Sequence, residues 1–200
     1  MEIGVLASGR GSNLQAIVDA CESVEISAEV KVVISDCKEA YALKRAEIHK
    51  IPHYFVDVKK FKNKADYESE VLKLLEKHGV QLVCLAGYMR LVGEVLLKAY
   101  PMRIMNIHPS LLPSFPGLNA QKQAIEYSVK VSGCTVHFVD EGMDTGPIIL
   151  QSAVCVNEDD TEETLAKRIL EHEHIIYPKA IDLFVKGKLK VEGRRVKILD

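Results

Sequence analysis

Short apolar runs alternate along the first half of the chain with segments whose apolar residues recur every three or four positions. Ile3 to Ala7, Glu29 to Ser35, a short stretch around His53 to Val56 and Gln81 to Ala86 read as strands, separated by helices over Asn13 to Cys21, Tyr41 to His49 and about Lys64 to His78. The strand runs are near-continuously apolar, as expected when both faces of a parallel sheet are covered. This order predicts an α/β protein with a doubly wound, mostly parallel sheet.

The pattern changes after Gly87. Leu91 to Tyr100 reads as a helix, Arg103 to Ile107 as a strand, Pro109 to Gly117 as a Pro-rich loop and Gln121 to Tyr127 as a short helix. Two longer β runs follow, Cys134 to Val139 and Ile148 to Val156, then a long helix from Glu162 to about Lys186. Lys188 to Val191 and Val196 to Leu199, joined by Glu192-Gly193-Arg194-Arg195, form a terminal hairpin. The parallel sheet is thus expected to carry an antiparallel extension near the C-terminal part. No repeat, low-complexity stretch or linker interrupts residues 1–200, so one domain is expected.

Composition narrows the function classes. With 26 Lys+Arg against 28 Asp+Glu the formal charge is -2, which offers no basic field for duplex nucleic acid. The five cysteines are scattered and include no C-x-x-C pair, which argues against a disulfide framework or zinc knuckle and fits reduced thiols in a cytoplasmic protein. Cys84 and Cys155 lie in apolar runs and read as small buried hydrophobes. The first residues lack the basic start of a signal peptide, and no apolar run is long enough to span a membrane.

Three polar constellations carry the candidate chemistry. The turn Ser8-Gly9-Arg10-Gly11-Ser12-Asn13 joins the first strand to the first helix, where unpaired N–H groups and aligned dipoles favour an anion. Leu14 occupies the third glycine position of a dinucleotide fingerprint, so Gly11, Ser12 and Asn13 suit one phosphate better than a pyrophosphate. An ordinary Gly-rich turn with a Ser/Asn cap is the plainer alternative. Asp36, after the second strand, imitates an acidic ribose ligand and keeps a nucleotide-dependent oxidoreductase of Rossmann type open.

The second constellation is Asn106 and His108, followed about thirty residues later by Asp144 in Asp140-Glu141-Gly142-Met143-Asp144-Thr145-Gly146-Pro147. An amide, a titratable ring and a carboxylate are the minimum for stabilising a tetrahedral oxyanion and moving protons near neutral pH, which indicates acyl or formyl transfer. Taken singly, such a His is more often structural and such an Asp a turn former. The third constellation, Glu171-His172-Glu173-His174, lies on the long helix; residues two apart face different sides, so the two His do not chelate one ion and no metal is expected.

The string NIHPSLLPSFPG from Asn106 to Gly117, followed by GCTVHFVDEGMDTGPIILQ from Gly133 to Gln151, resembles the formyl-transfer domain of enzymes that use 10-formyltetrahydrofolate. The segment Gly4 to Asn13 is similar to those members that formylate 5-phosphoribosylglycinamide in purine biosynthesis, and the likeness runs from Met1 to about Lys186. The resemblance implies a Rossmann-like fold and 10-formyltetrahydrofolate as co-substrate. It implies Asn106, His108 and Asp144 as catalytic residues, and Gly11, Ser12, Asn13 and Glu173 as ribotide ligands.

For the folate it implies Lys64, the backbone of Met89, Arg90, Leu91 and Val92 in a segment opening a helix, and the loop Asp140, Glu141, Gly142 and Met143. Without the resemblance, Met89 and Leu91 read as core residues. Residues 1–100 are then the ribotide half and 101–200 the catalytic and folate half, in a monomer or homodimer that acts on two small molecules. Members of the family often carry histidines after the Pro-Gly turn, where this chain has Asn119 and Gln121; a part for His137 stays open.

Three alternatives stand beside this reading. A formyltetrahydrofolate hydrolase would use water as acceptor and usually adds an amino-terminal regulatory domain, for which a chain starting directly on the first strand leaves no room. A methionyl-tRNA formyltransferase would need a carboxyl-terminal β-barrel and a basic surface. A ligand-binding module would explain the phosphate loop but not the company of Asn106, His108 and Asp144.

Overall fold

The computed structural model describes residues 1–200 and contains one nine-stranded sheet in the order β3-β2-β1-β4-β5-β6-β7-β9-β8. The strands are β1 (Glu2–Leu6), β2 (Glu29–Ser35), β3 (His53–Phe55), β4 (Leu82–Leu85), β5 (Ile104–His108), β6 (Val131–Phe138), β7 (Ile148–Cys155), β8 (Leu189–Glu192) and β9 (Arg195–Ile198). β1 to β5 are mutually parallel, β6 and β7 continue antiparallel, and the terminal hairpin joins β7 through a single bridge, Ile148 with Arg195. The chain winds outward from β1 to β2 and β3, then returns to β4 on the other side, so the sheet switches direction between β1 and β4.

Six helices cover the sheet: α1 (Ser12–Glu22), α2 (Tyr41–Ile48), α3 (Lys64–Lys77), α4 (Glu94–Ala99), α5 (Ala120–Glu126) and α6 (Glu162–Val185). Alternation along β1 sends Ile3, Val5 and Ala7 into a core with α1, α2, α5 and α6, and Leu6 into a second core with α3 and α4. On β2 the alternation is broken, since Val30 and Val33 face the first core while Val32 and Ile34 face the second. A register shift opposite Ile3 and Gly4 accounts for this by inserting one residue.

The longest helix, α6, is started by a capping box in which Thr161 and Thr164 exchange side-chain and backbone bonds. Its Tyr177 is wholly buried and offers its hydroxyl to Leu85 O at 3.0 Å and Met105 O at 2.9 Å, the carbonyls of adjacent strands. One proton is shared between two carbonyls that already belong to the β4–β5 ladder, so the hydroxyl ties α6 to both strands.

Several boundaries differ from the sequence pattern. Helix α4 begins at Glu94, not Leu91, because Gly93 is extended and gives its N–H to the buried Glu68 carboxylate at 2.6 Å; Gly87 to Gly93 is a loop. Strand β6 starts at Val131, since pairing with β7 continues to Val131 opposite Cys155. A 3-10 turn at Val58–Lys60, capped by Asp57, has no counterpart in the apolar pattern. Cys84 is buried as expected, but Cys155 is exposed because β7 is covered on one side and residue 155 falls on the open one.

No helix is long and apolar enough to cross a membrane. Replacing Tyr177 with Phe removes the hydroxyl's bonds to Leu85 O and Met105 O, while both carbonyls keep their ladder donors. A loss of about 0.5–1.5 kcal/mol in urea unfolding, with an unchanged denaturant slope, is the expected outcome.

Candidate active site

The turns that follow β1, β2, β4 and β5 all leave the carboxyl edge of the parallel strands, where an open α/β sheet holds its ligands at the switch in strand order. Ser8 ties the switch together. Its N–H donates to Gly87 O at 3.0 Å, its hydroxyl donates to Asp36 Oδ1 at 2.6 Å and accepts the Met89 N–H at 2.9 Å. The turn after β1 and the loop after β4 are therefore fixed to each other.

Gly11 caps α1 in the left-handed region, at φ 70°, and a Cβ there would lie 2.8 Å from Ala42. No side chain caps the first turn of α1, so its leading N–H groups face outward as anion donors. Asn13 turns inward and donates to Glu173 Oε2 at 2.6 Å, joining α1 to α6. Burial pushes the Glu173 carboxyl above its ordinary value, and the Asn13 amide opposes this.

Asn106 and His108 are two residues apart on β5 and so share a face, opposite Met105 and Ile107, which enter the core with α6. The antiparallel register places His137 across from Asn106 and Thr135 across from His108. The loops after β5 and β6 close over this face. Thr135 accepts the Leu112 N–H at 3.0 Å and donates to Ser110 O at 2.6 Å, pinning the Pro-rich loop.

Asp144 meets all the groups of this face. Its Oδ2 lies 3.4 Å from His108 Nδ1 and accepts the Gly117 N–H at 2.7 Å; its Oδ1 lies 3.5 Å from Asn106 Nδ2 and 3.7 Å from His137 Nε2. The ring of His108 donates through Nε2 to Phe115 O at 2.8 Å, and His137 donates through Nδ1 to Phe138 O at 2.8 Å. That tautomer leaves His137 Nε2 as the acceptor for Asn106 Nδ2 at 3.2 Å. Phe115 and Asp144 have φ of 54° and 56°, backbone conformations that side chains seldom adopt and that functional sites tend to retain.

Electrostatics of the pair run in opposite senses. Burial lowers the His108 ring below its ordinary 6.5, outweighing the Asp144 charge and the Phe115 carbonyl, which raise it. The Asp144 carboxyl is raised by burial, but the neighbouring His137 ring, the Gly117 N–H and the His108 charge together take it below the ordinary 3.8. Asp144 favours the cation, yet burial has the larger effect.

The residues expected at the folate fall on two loops. Met89 and Leu91 are 65% and 59% exposed, which overturns their reading as core residues; Val92 is buried and offers only its backbone at the sheet edge. The segment they occupy does not open a helix, because α4 starts only after Gly93. Arg90 lies 3.9 Å from Asp36 and over the Tyr67 ring. Lys64 begins α3 with its Nζ 3.8 Å from Glu68, beside the backbone of Gly93.

Across from these, Asp140 accepts the Gly142 N–H at 3.1 Å and the Thr145 hydroxyl at 2.6 Å, folding the loop so that Glu141, Gly142 and Met143 stay exposed. Arg194, from the terminal hairpin, holds Thr145 O at 3.0 Å. Asp36 accepts the Ser8 hydroxyl on one oxygen and has the other 3.9 Å from Arg90. His172 bonds Ser152 at 2.7 Å, while His174 lines the groove between α1 and α6.

Sequence reasoning left His137 open and did not single out Ser8, Phe115 O or Gly117 N–H. For His137 the available signal was its two-residue spacing from Thr135 on a strand paired with β5. Asn119 caps α5 from the left-handed region and is exposed.

The chain belongs to the formyl transferase family, which it matches over residues 1–181. It is 48% identical to the phosphoribosylglycinamide formyltransferase of Bacillus subtilis, over 90% of this chain and 92% of that one. The crystal structure of glycinamide ribonucleotide transformylase 1 from Symbiobacterium toebii superposes with a TM-score of 0.99 at 56% identity, covering 100% of this chain and 94% of the other. A formyltetrahydrofolate deformylase from Pseudomonas syringae shares the fold at TM-score 0.92 and 30% identity, and this chain covers 66% of it.

Because the folded-state values of His108 and Asp144 both lie below their unfolded ones, each contributes stability that is present above the unfolded value and lost as pH falls through the folded one. The His108 ring, followed by NMR, is expected to titrate with a midpoint below 6.5, and Asp144→Asn to move that midpoint further down by removing the larger of the two effects that oppose burial. A wild-type midpoint at or above 6.5 contradicts this balance.

Proposed function

We propose that the chain transfers the formyl group of 10-formyltetrahydrofolate to the amine of 5-phosphoribosylglycinamide in de novo purine biosynthesis. The observation that carries this reading is the meeting of Asn106, His108 and Asp144, from distant parts of the chain, on one sheet face beside a turn suited to a phosphate. The names borne by relatives 48% and 56% identical support it, and membership of the formyl transferase family favours it over the oxidoreductase alternative.

The acceptor amine has a pKa near ~8, so a useful fraction is unprotonated at neutral pH and no strong base is needed. Its attack on the formyl carbon creates an oxyanion and a positively charged nitrogen. Asn106 Nδ2 is one donor for that oxygen, and His108 in its protonated form, with a hydrogen on Nδ1 as well as on the Nε2 held by Phe115 O, is the other. Their contacts with Asp144, at 3.5 and 3.4 Å, are the long and weak ones, and these are the contacts that a developing negative charge displaces. Each donor is worth about 3 kcal/mol in the transition state.

Asp144 orients His108 and stabilises the charged ring while a proton passes from the acceptor nitrogen to the departing folate nitrogen. The carbonyl then reforms and the folate leaves, with no net proton gained or lost. In this scheme Gly11, Ser12 and Asn13 hold the ribotide phosphate, and Glu173 reaches the glycinamide end through its place beside Asn13. Lys64, the loop from Met89 to Val92 and the loop from Asp140 to Met143 hold the folate.

One domain over residues 1–200 carries these parts. Its first hundred residues supply the phosphate turn and its second hundred the catalytic set, with the folate gripped from both. The protein works in the cytoplasm, as a monomer or homodimer, on two small molecules. A hydrolase would use the same trio with water as acceptor, and ribotide dependence separates the two.

Purified protein mixed with both substrates is expected to release folate, followed by its absorbance, only when the ribotide is present. Folate release without it would favour hydrolysis. His108→Ala and Asp144→Asn are each expected to lower turnover at least ~10²-fold with modest change in KM. Near-normal rates would remove that residue from the mechanism. Ser12→Asp is expected to raise the ribotide KM by charge repulsion, leaving the folate KM in place.

A further inference from the structure

Helix α2 grips the turn after β1 from behind. The Ala42 N–H donates to Gly9 O at 3.1 Å, and Arg45 Nε donates to Arg10 O at 2.9 Å. In a planar trans peptide the carbonyl and the following N–H point in opposite directions. With the carbonyls of Gly9 and Arg10 both drawn toward α2, the N–H groups of Arg10 and Gly11 are turned away from it. Neither has a protein acceptor.

The same guanidinium reaches the start of α1. Its Nη1 donates to Gln15 Oε1 at 3.0 Å, and the Gln15 amide is held in turn by Asp19 at 2.7 Å and His49 at 2.8 Å. The Tyr41 ring, one turn earlier on α2, lies 5.0 Å from the Arg45 carbon and supports its plane. One planar fork therefore locks the Arg10–Gly11 peptide to the first turn of α1, a geometry that a lysine ammonium does not reproduce.

We propose that Arg45 is a positioning residue for ribotide binding: by holding the Arg10 carbonyl and Gln15 together it aims the N–H groups of Arg10 and Gly11 at the ribotide phosphate. The inference rests on the proposed placement of that phosphate at Gly11 to Asn13. Arg45 acts through the turn; both of its bonded nitrogens are used on the protein.

The test combines steady-state kinetics with backbone amide NMR under titration with inorganic phosphate, on wild type, Arg45→Met and Arg45→Lys. Both variants are expected to raise the ribotide KM, Arg45→Met by about tenfold as for loss of a charged hydrogen bond, with kcat and the folate KM nearly unchanged. In wild type, phosphate shifts the Arg10, Gly11 and Ser12 amides; in Arg45→Met these shifts shrink.

Full recovery of the ribotide KM in Arg45→Lys would overturn the proposal by showing that charge alone suffices. Equal loss toward both substrates would overturn it as general damage. Amide shifts of wild-type size in Arg45→Met would remove Arg45 and leave the phosphate placement standing, whereas no shift in the wild type would remove the placement itself. If Arg45→Met fails to fold, Arg45→Lys alone carries the same comparison.

Discussion

A single carboxylate, that of Asp144, holds the polar face of β5 and β6 together. It is nearly buried among two imidazoles, a carboxamide and a backbone N–H, and those partners come from β5, β6 and the Pro-rich loop. A buried charge is tolerated only when such partners replace water. The loop that carries Asp144 must therefore fold back across β5, and the Pro-rich loop must bring Gly117 to it. The position of His108 follows, because Asp144 and Phe115 O bracket its ring.

The sheet makes this arrangement possible by changing its covering layer. Around β1 and β4 both faces are packed by helices, and the cores are mainly apolar. At β5 and β6 one face still packs on α6, but the other is closed by two loops in place of a helix. Polar side chains on that face meet backbone donors and acceptors as well as each other. Helical cover would leave the same Asn and His residues without partners.

The order of elements in the parallel half was legible from apolar patterning, because strands buried on both faces and amphipathic helices leave distinct periods. The reading failed where one tertiary bond overrode local preference. Leu91 and Val92 continue the apolar pattern of α4, yet the Glu68 carboxylate takes the Gly93 N–H and the helix starts later. Cys155 sits in an apolar run but on the open side of a one-sided strand. The inserted residue in β2 likewise depends on pairing with β1, which no local pattern contains.

By itself, the sequence determined the α/β class, the sites of the turns and the identity of the chemical groups, through the motifs around Gly11, His108 and Asp144. These are properties of short segments, set by side-chain period and turn chemistry. Only the tertiary structure decided that Asp144 faces His108 and His137 together and that Ser8 joins the turn after β1 to Asp36 and to the loop after β4. Such contacts join residues far apart in the chain. Strand register and loop packing fix them, so only the complete fold specifies them.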